Sequence, residues 1–150
     1  MSQSFARIAV HLTFSTRYRR PLITDAITGE LNAYLIGILR NLDCPAIRTN
    51  TAEDHAHSLF FLSRTHPLDF IVEQLKGSSS KWIKTKGPDF ADFYWQAGYA
   101  AFSVGESEIK RVAAYITGQR EHHRQISFKD EIRRLFREHG LPLNEDVFFN

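Results

Sequence analysis

Residues 53–62 read Glu53-Asp54-His55-Ala56-His57-Ser58-Leu59-Phe60-Phe61-Leu62. An acidic turn gives way to an apolar, aromatic run, which predicts a strand over 57–62. Pro45 to Asn50, just before the turn, reads as another short strand. Two strands in direct succession, with helical patterns on either side, decide the fold. Upstream, Phe5 to Phe14 alternates. Ile8, Val10, Leu12 and Phe14 face one way, and Ala9, His11 and Thr13 face the other, which is the period of a strand. Between these strands, Thr24 to Leu42 places Ile27, Leu31, Leu35, Ile38 and Leu42 at helical spacing, with Thr24 or Asp25 near the cap.

Downstream, Pro67 suits the first residue of a helix carrying Leu68, Ile71, Val72, Leu75, Trp82 and Ile83. Phe93 to Val104 is aromatic and small, a strand with Gly98 at a bulge. Glu106 to Gln119 is a helix with the stripe Ile109, Val112, Ala113 and Ile116. Ser127 to His139 is another, opened by Ser127 and Asp130 at capping-box-like spacing. The order β-α-β-β-α-β followed by two helices predicts an α+β, ferredoxin-like architecture. It is an antiparallel sheet with helices on one face, plus two C-terminal helices. Without repeats or a linker, residues 1–150 read as one domain.

A chain of 150 residues with 43% hydrophobic content can bury a core and is too apolar for a disordered segment. Its apolar runs are too short to span a bilayer, and polar residues punctuate the N-terminal strand, unlike a signal peptide. Cys44 is the only cysteine, so a reducing compartment, the cytoplasm, is expected. A net charge of +2 permits a local basic surface without requiring one. Two basic clusters enclose an aromatic residue: Arg17-Tyr18-Arg19-Arg20, and Lys81-Trp82-Ile83-Lys84-Thr85-Lys86. Such clusters suit phosphates with a stacked, unpaired base; each alone also suits a solvated face.

On a strand, residues i and i+2 share a face, so His55 and His57 project side by side. Two imidazoles so placed can grip one divalent ion. They are also compatible with hydrogen-bonded surface histidines, because a metal site needs further ligands. His122 and His123 are adjacent, point about 100° apart on a helix and chelate poorly together. His11, His66 and His139 read as isolated structural or solvated residues, and Glu53 and Asp54 as turn acids.

In Arg111 to His123 (RVAAYITGQREHH), Tyr115 lies off the apolar stripe. Gln119, four residues on, stacks one turn above it. A phenol and an amide oxygen therefore face the same way. A half-buried Tyr at a helix edge with an unrelated Gln gives the same pattern. Gly118 weakens the helix at that point by about 1 kcal/mol relative to Ala.

His-x-His on a strand, followed some sixty residues later by a helical Tyr-x-x-x-Gln, resembles the IS200/IS605-like single-tyrosine transposases of the HUH class, which include repeat-associated tyrosine transposases. HLTFSTRYRRPLI, DHAHSLFFLS, QLKGSSSKWIK, WQAGYAAFSV and VAAYITGQREHHRQISFKDEIRRLF resemble that family's segments in order, over about residues 5 to 140. The resemblance implies a metal-dependent enzyme that cleaves and rejoins single-stranded DNA at hairpin-containing ends through a 5′-phosphotyrosine. It implies Tyr115 as nucleophile and His55, His57 and Gln119 as ligands of Mg2+ or Mn2+. It also implies a homodimer in which one subunit's tyrosine helix can complete the other's site. Arg17, Tyr18, Arg19, Arg20, Lys81 and Lys84 are the candidate DNA contacts. Gly118 stands where the family commonly has Asn. The alternatives are a catalytically quiet, hairpin-binding regulator, an unrelated metal hydrolase, and a plain interaction domain.

Overall fold

The computed structural model describes residues 2–150. Four strands, β1 (Ala9–Ser15), β2 (Ala46–Thr51), β3 (His55–Phe61) and β4 (Ala100–Val104), form one sheet in the order β2-β3-β1-β4. Every pairing is antiparallel, with Ser15 opposite His55, Thr13 opposite His57, and His11 opposite both Leu59 and Phe102. This is the ferredoxin-like topology expected from the element order.

The helices α1 (Asp25–Asn41) and α2 (Leu68–Lys84) cover one face. Val10, Leu12 and Phe14 of β1 and Ala56 and Phe60 of β3 meet Ile27, Leu31, Leu35, Leu39, Ile71, Val72 and Leu75 there. Pro67 is the residue before α2, one place earlier than its expected role as first helical residue. The opposite face carries Ala9, His11, Thr13, His55, His57 and Leu59, and it too is buried. The C-terminal helices lie over it: α3 (Ile109–Thr117), α4 (Gln119–His123), α5 (Phe128–Glu138) and the short α6 (Glu145–Phe148). Val112, Ala113 and Ile116 of α3 pack on Ala9 and Leu59, and Phe128, Ile132 and Leu135 of α5 on Ala100 and Phe102. Two faces of a strand can be apolar only when both are covered, which is why all seven residues of β1 are buried.

Two expectations on element bounds change. The strand expected from Phe93 is confined to Ala100–Val104, and Gly98 lies in the preceding loop rather than at a bulge. The Lys76 ammonium donates to the carbonyls of Gln96 (2.8 Å) and Gly98 (2.6 Å), turning them away from any strand partner. Only Trp95 keeps a bridge, to Thr16. The expected helix 106–119 is broken at Gly118, whose φ of −87° and ψ of 11° end α3 before α4 begins. Asn50 on β2 donates to the carbonyls of Ile116 and Thr117, each at 3.0 Å, satisfying the groups that the break leaves without helical partners. The tyrosine helix is thus tied to the sheet of its own chain.

Candidate metal and nucleophile site

The strand β3 ends its turn with His55 and His57 pointing into the layer between the sheet and α3–α5, each at most 1% exposed. Both rings are held by Nδ1. His55 Nδ1 lies 2.7 Å from Asp54 Oδ1, and His57 Nδ1 lies 2.7 Å from His11 Nε2. Partners of this kind fix ring orientation and leave Nε2 facing a common point. At that point His55 Nε2 is 2.9 Å from Gln119 Oε1, and His57 Nε2 is 2.8 Å from Glu131 Oε1. Glu131 Oε2 accepts from Gln119 Nε2 at 3.1 Å and from the Tyr115 phenol. Arg134 donates to the same phenol oxygen at 2.9 Å.

The structure brings His55, His57, Tyr115 and Gln119 into one cluster, where spacing had paired only the two histidines with each other and Tyr115 with Gln119. The Gly118 break does not separate Tyr115 from Gln119; both reach Glu131. Three further members were not foreseen. His11, read as isolated, is 4% exposed and bonds His57. Its signal was its place opposite Val10 and Leu12 on an alternating strand, the face that β3 gives to its histidines. Asp54, read as a turn acid, is buried and holds His55. Glu131 falls on the buried stripe of α5, three residues after Phe128 and four before Leu135. A carboxylate on a core stripe is a legible signal of a polar site. His122 and His123 separate as expected: His122 Nε2 approaches Glu131 (3.7 Å), and His123 Nε2 approaches Asp54 (3.6 Å).

The charges follow from burial and neighbours. Burial alone lowers the pKa of His55, but the hydrogen bond that its ring donates to Asp54 and the charge of Glu131 outweigh it, so His55 titrates above its ordinary value. For His57 burial prevails and the pKa is lowered. Burial also dominates at His11, bringing its pKa to about 3. Burial works against ionising Glu131, yet His57 and His55 hold its carboxyl well below the usual range. Tyr115 is raised, first by burial and then by the Glu131 charge, with Gln119 and Arg134 acting in the opposite direction.

The donor set suits a divalent cation. An octahedral shell of about 2.0–2.1 Å radius puts adjacent donors about 3 Å apart, and His55 Nε2 and Gln119 Oε1 stand at 2.9 Å. Buried atoms without a hydrogen-bond partner, His122 Nε2 and Arg134 Nε, border the cluster. They are the groups a phosphate or an ion's water can satisfy. Beside Tyr115 opens a cleft of about 260 Å3, lined by His11, Phe102, Arg111, Arg134 and His139 among others.

The two basic clusters converge as well. After β1 the chain turns through Tyr18 (φ 57°) and Arg19 (φ 56°), a left-handed pair in which Tyr18 is 58% exposed. Tyr94, 50% exposed and not singled out from sequence, stands across a cleft of about 200 Å3 from Tyr18, with Arg17 and Arg20 in its lining. Lys84 lies 4.2 Å from the Tyr94 ring centre, and Lys81 is exposed one turn earlier. Arg19 instead turns to the carbonyl of Phe149. Trp82, expected to be a stacking ring, is already stacked on Tyr34 at 4.8 Å.

The chain is similar in fold to two solved structures. One is a candidate transposase from Deinococcus radiodurans R1, at 21% identity and a TM-score of 0.62, covering 80% of this chain and 97% of that one. The other is a REP-associated tyrosine transposase bound to a REP hairpin, at 13% identity and a TM-score of 0.60, covering 84% and 74%. A comparison with curated proteins gives no match. The sequence profile described as "Transposase IS200 like" matches residues 4–119, from before β1 to the first residue of α4. With most of its length matched by that profile, the chain belongs to the IS200-like transposase family.

Proposed function

We propose that this protein, as one domain over residues 1–150, cuts and rejoins single-stranded DNA through a 5′-phosphotyrosine on Tyr115, with Mg2+ or Mn2+ held by His55, His57 and Gln119. The observation that carries the reading is the meeting of a phenol, two oriented imidazoles and an amide oxygen in one buried cluster of a transposase-family chain. The Tyr115 phenol gives up its proton, its oxygen forms a bond to phosphorus, and the bond from phosphorus to the 3′ oxygen breaks. That oxygen takes a proton and leaves as a free 3′-OH. One phosphodiester is exchanged for another, so rejoining by a 3′-OH needs no ATP.

A phenol with a raised pKa is a poor nucleophile at neutral pH. Arg134 acts against this by donating to the phenol oxygen, which stabilises charge developing there. A bound divalent cation supplies Lewis-acid stabilisation of the phosphate oxygens. Asp54 and His11 keep the imidazoles in their ligating orientation. Arg111 and Arg134, on the wall of the cleft beside Tyr115, complement phosphate charge.

The DNA strand is proposed to cross the basic cleft of Arg17, Tyr18 and Arg20, with Tyr94 and Lys84 opposite and Arg19 and Lys81 flanking it. Exposed rings that take stacked bases next to cations are the usual means of holding unpaired DNA. A hairpin-bearing substrate is supported by the similar fold solved with a REP hairpin. Action as a homodimer in the cytoplasm belongs to the same proposal. The tie from Asn50 to α3 favours Tyr115 serving its own chain's histidines within such a dimer. No helix among the described residues is long and apolar enough to cross a membrane.

The test is a denaturing gel for a covalent protein–DNA adduct, using labelled single strands that flank the gene, with Mn2+ or EDTA and with Tyr115→Phe. A metal-dependent adduct absent from Tyr115→Phe is expected. An adduct that survives the substitution refutes the nucleophile. Hairpin binding without any adduct moves the reading to a DNA-holding regulator.

A further inference from the structure

We propose that Glu131 is a fourth protein ligand of the cation, giving it a carboxylate oxygen from α5. This rests on the reading of His55, His57 and Gln119 as a metal site, and it adds a residue that lies beyond the segment matched by the family profile, 4–119.

Three observations carry it. The first is position. The Glu131 side chain is 2% exposed, and its Oε1 stands 2.8 Å from His57 Nε2 and 3.5 Å from His55 Nε2. Gln119 Oε1 stands 2.9 Å from His55 Nε2. Neighbouring donors around one small cation lie about 3 Å apart, so Oε1 occupies the same hub as the other three. His55, His57 and Glu131 also satisfy the spacing of a three-residue metal cluster by themselves.

The second is charge. Two neutral imidazoles and an amide carry none, and a dication buried among them has no counter-charge from its ligands. Mg2+ and Mn2+ favour oxygen donors and are ordinarily bound through carboxylates. Glu131 is the carboxylate that reaches the hub. Asp54 faces Nδ1 of His55, on the far side of that ring.

The third is the division of labour between its two oxygens. Oε1 faces the histidines, while Oε2 receives the hydrogen bonds of Tyr115 and Gln119. A metal-bound Glu131 can therefore keep the nucleophile beside the hub through its second oxygen. The ligand set becomes two imidazoles, one amide and one carboxylate, which leaves two positions of an octahedron for phosphate or water.

The experiment is Mn2+ titration of the EDTA-treated full chain, read by calorimetry and by the EPR signal of free Mn2+, for wild type, Glu131→Gln and His57→Ala. Thermal unfolding in EDTA checks the fold of each variant. Glu131→Gln is expected to weaken Mn2+ binding at least about tenfold, and His57→Ala to weaken it too. Wild-type or tighter Mn2+ binding by a folded Glu131→Gln overturns the proposal, because the carboxylate then competes with the cation. If His57→Ala binds like wild type, the underlying site reading fails with it. Should Glu131→Gln not fold, a Mn2+-soaked wild-type crystal decides. A Glu131 oxygen within about 2.3 Å of the anomalous peak supports the ligand, and a longer separation refutes it.

Discussion

Replacing His11 by Phe tests whether the residue beneath His57 matters to the metal. His11 donates to or accepts from His57 Nδ1 at 2.7 Å, with the two ring centres 5.0 Å apart. Phe keeps a planar ring of similar size, and the adjoining cleft of about 260 Å3 gives the extra atoms room. What is lost is one buried hydrogen bond, and what remains is a buried His57 nitrogen without a partner. The bond contributes about 1 kcal/mol and the orphaned group costs about 1–3 kcal/mol. Greater apolar burial by the phenyl ring offsets part of this, so a net loss of about 1–3 kcal/mol is expected. For a chain of this size that lowers Tm by roughly 5 °C. The effect on the metal is larger in kind. Without its Nδ1 partner the His57 ring is free to rotate, and Mn2+ affinity should fall by about 10–100-fold. Urea unfolding in EDTA gives the first quantity and calorimetric Mn2+ titration the second. A folded His11→Phe protein that binds Mn2+ as tightly as wild type refutes the positioning argument.

Other outcomes follow from the same geometry. The metal-free protein should lose stability in acid through His11, whose folded pKa is about 3 against 6.5 for the unfolded chain. The unfolded state takes the proton first, so this contribution is full above about pH 6.5 and fades towards pH 3. Urea unfolding at pH 4 and pH 7 should show a shallower acid loss in His11→Phe, and an identical loss counts against it. Leu31, fully buried beneath the sheet, should cost about 2–5 kcal/mol as Ala by urea unfolding. Gly118→Ala should instead stabilise by about 0.4–1 kcal/mol, because φ is negative and an added Cβ meets nothing closer than 3.9 Å; a fall in Tm contradicts this. Replacing both Tyr18 and Tyr94 by Ala should weaken single-stranded DNA binding by about 1–3 kcal/mol per stacked base in fluorescence anisotropy, leaving Mn2+ affinity unchanged. Equal DNA affinity in the double variant removes that cleft from the DNA path.

The sheet and its helices were legible because their signals are local. Alternation in β1, the i and i+4 leucines of α1 and the Ser127 cap of α5 each depend on neighbours a few residues away. Ser127 does accept from the Asp130 amide. Phe93 to Gly98 misled because its composition is that of a strand, while its carbonyls are claimed by Lys76 from a distant helix. The paired histidines and the tyrosine–glutamine pair were visible from spacing. His11, Asp54 and Glu131 needed the sheet register and the docking of α5, which no single segment encodes. Tyr94 escaped notice because nothing in its own segment says that the left-handed turn at Tyr18 will face it.

The order of the site's residues along the chain has a consequence for synthesis. His11, Asp54, His55 and His57 belong to the part of the chain that carries the sheet, whereas Gln119, Glu131 and Arg134 come after the last strand. Translation at about 5–20 residues per second takes roughly 1–5 s to pass from the end of β4 at Val104 to Glu131. Until Gln119 and Glu131 follow, the hub has only the residues that the sheet-bearing segment supplies. The hub is therefore complete only once α5 has been made. Ribosome-bound chains arrested with residue 110 as the last one emerged, before Gln119, should fail to retain Mn2+, and released chains should retain it. Equal retention by both would show that the early residues suffice.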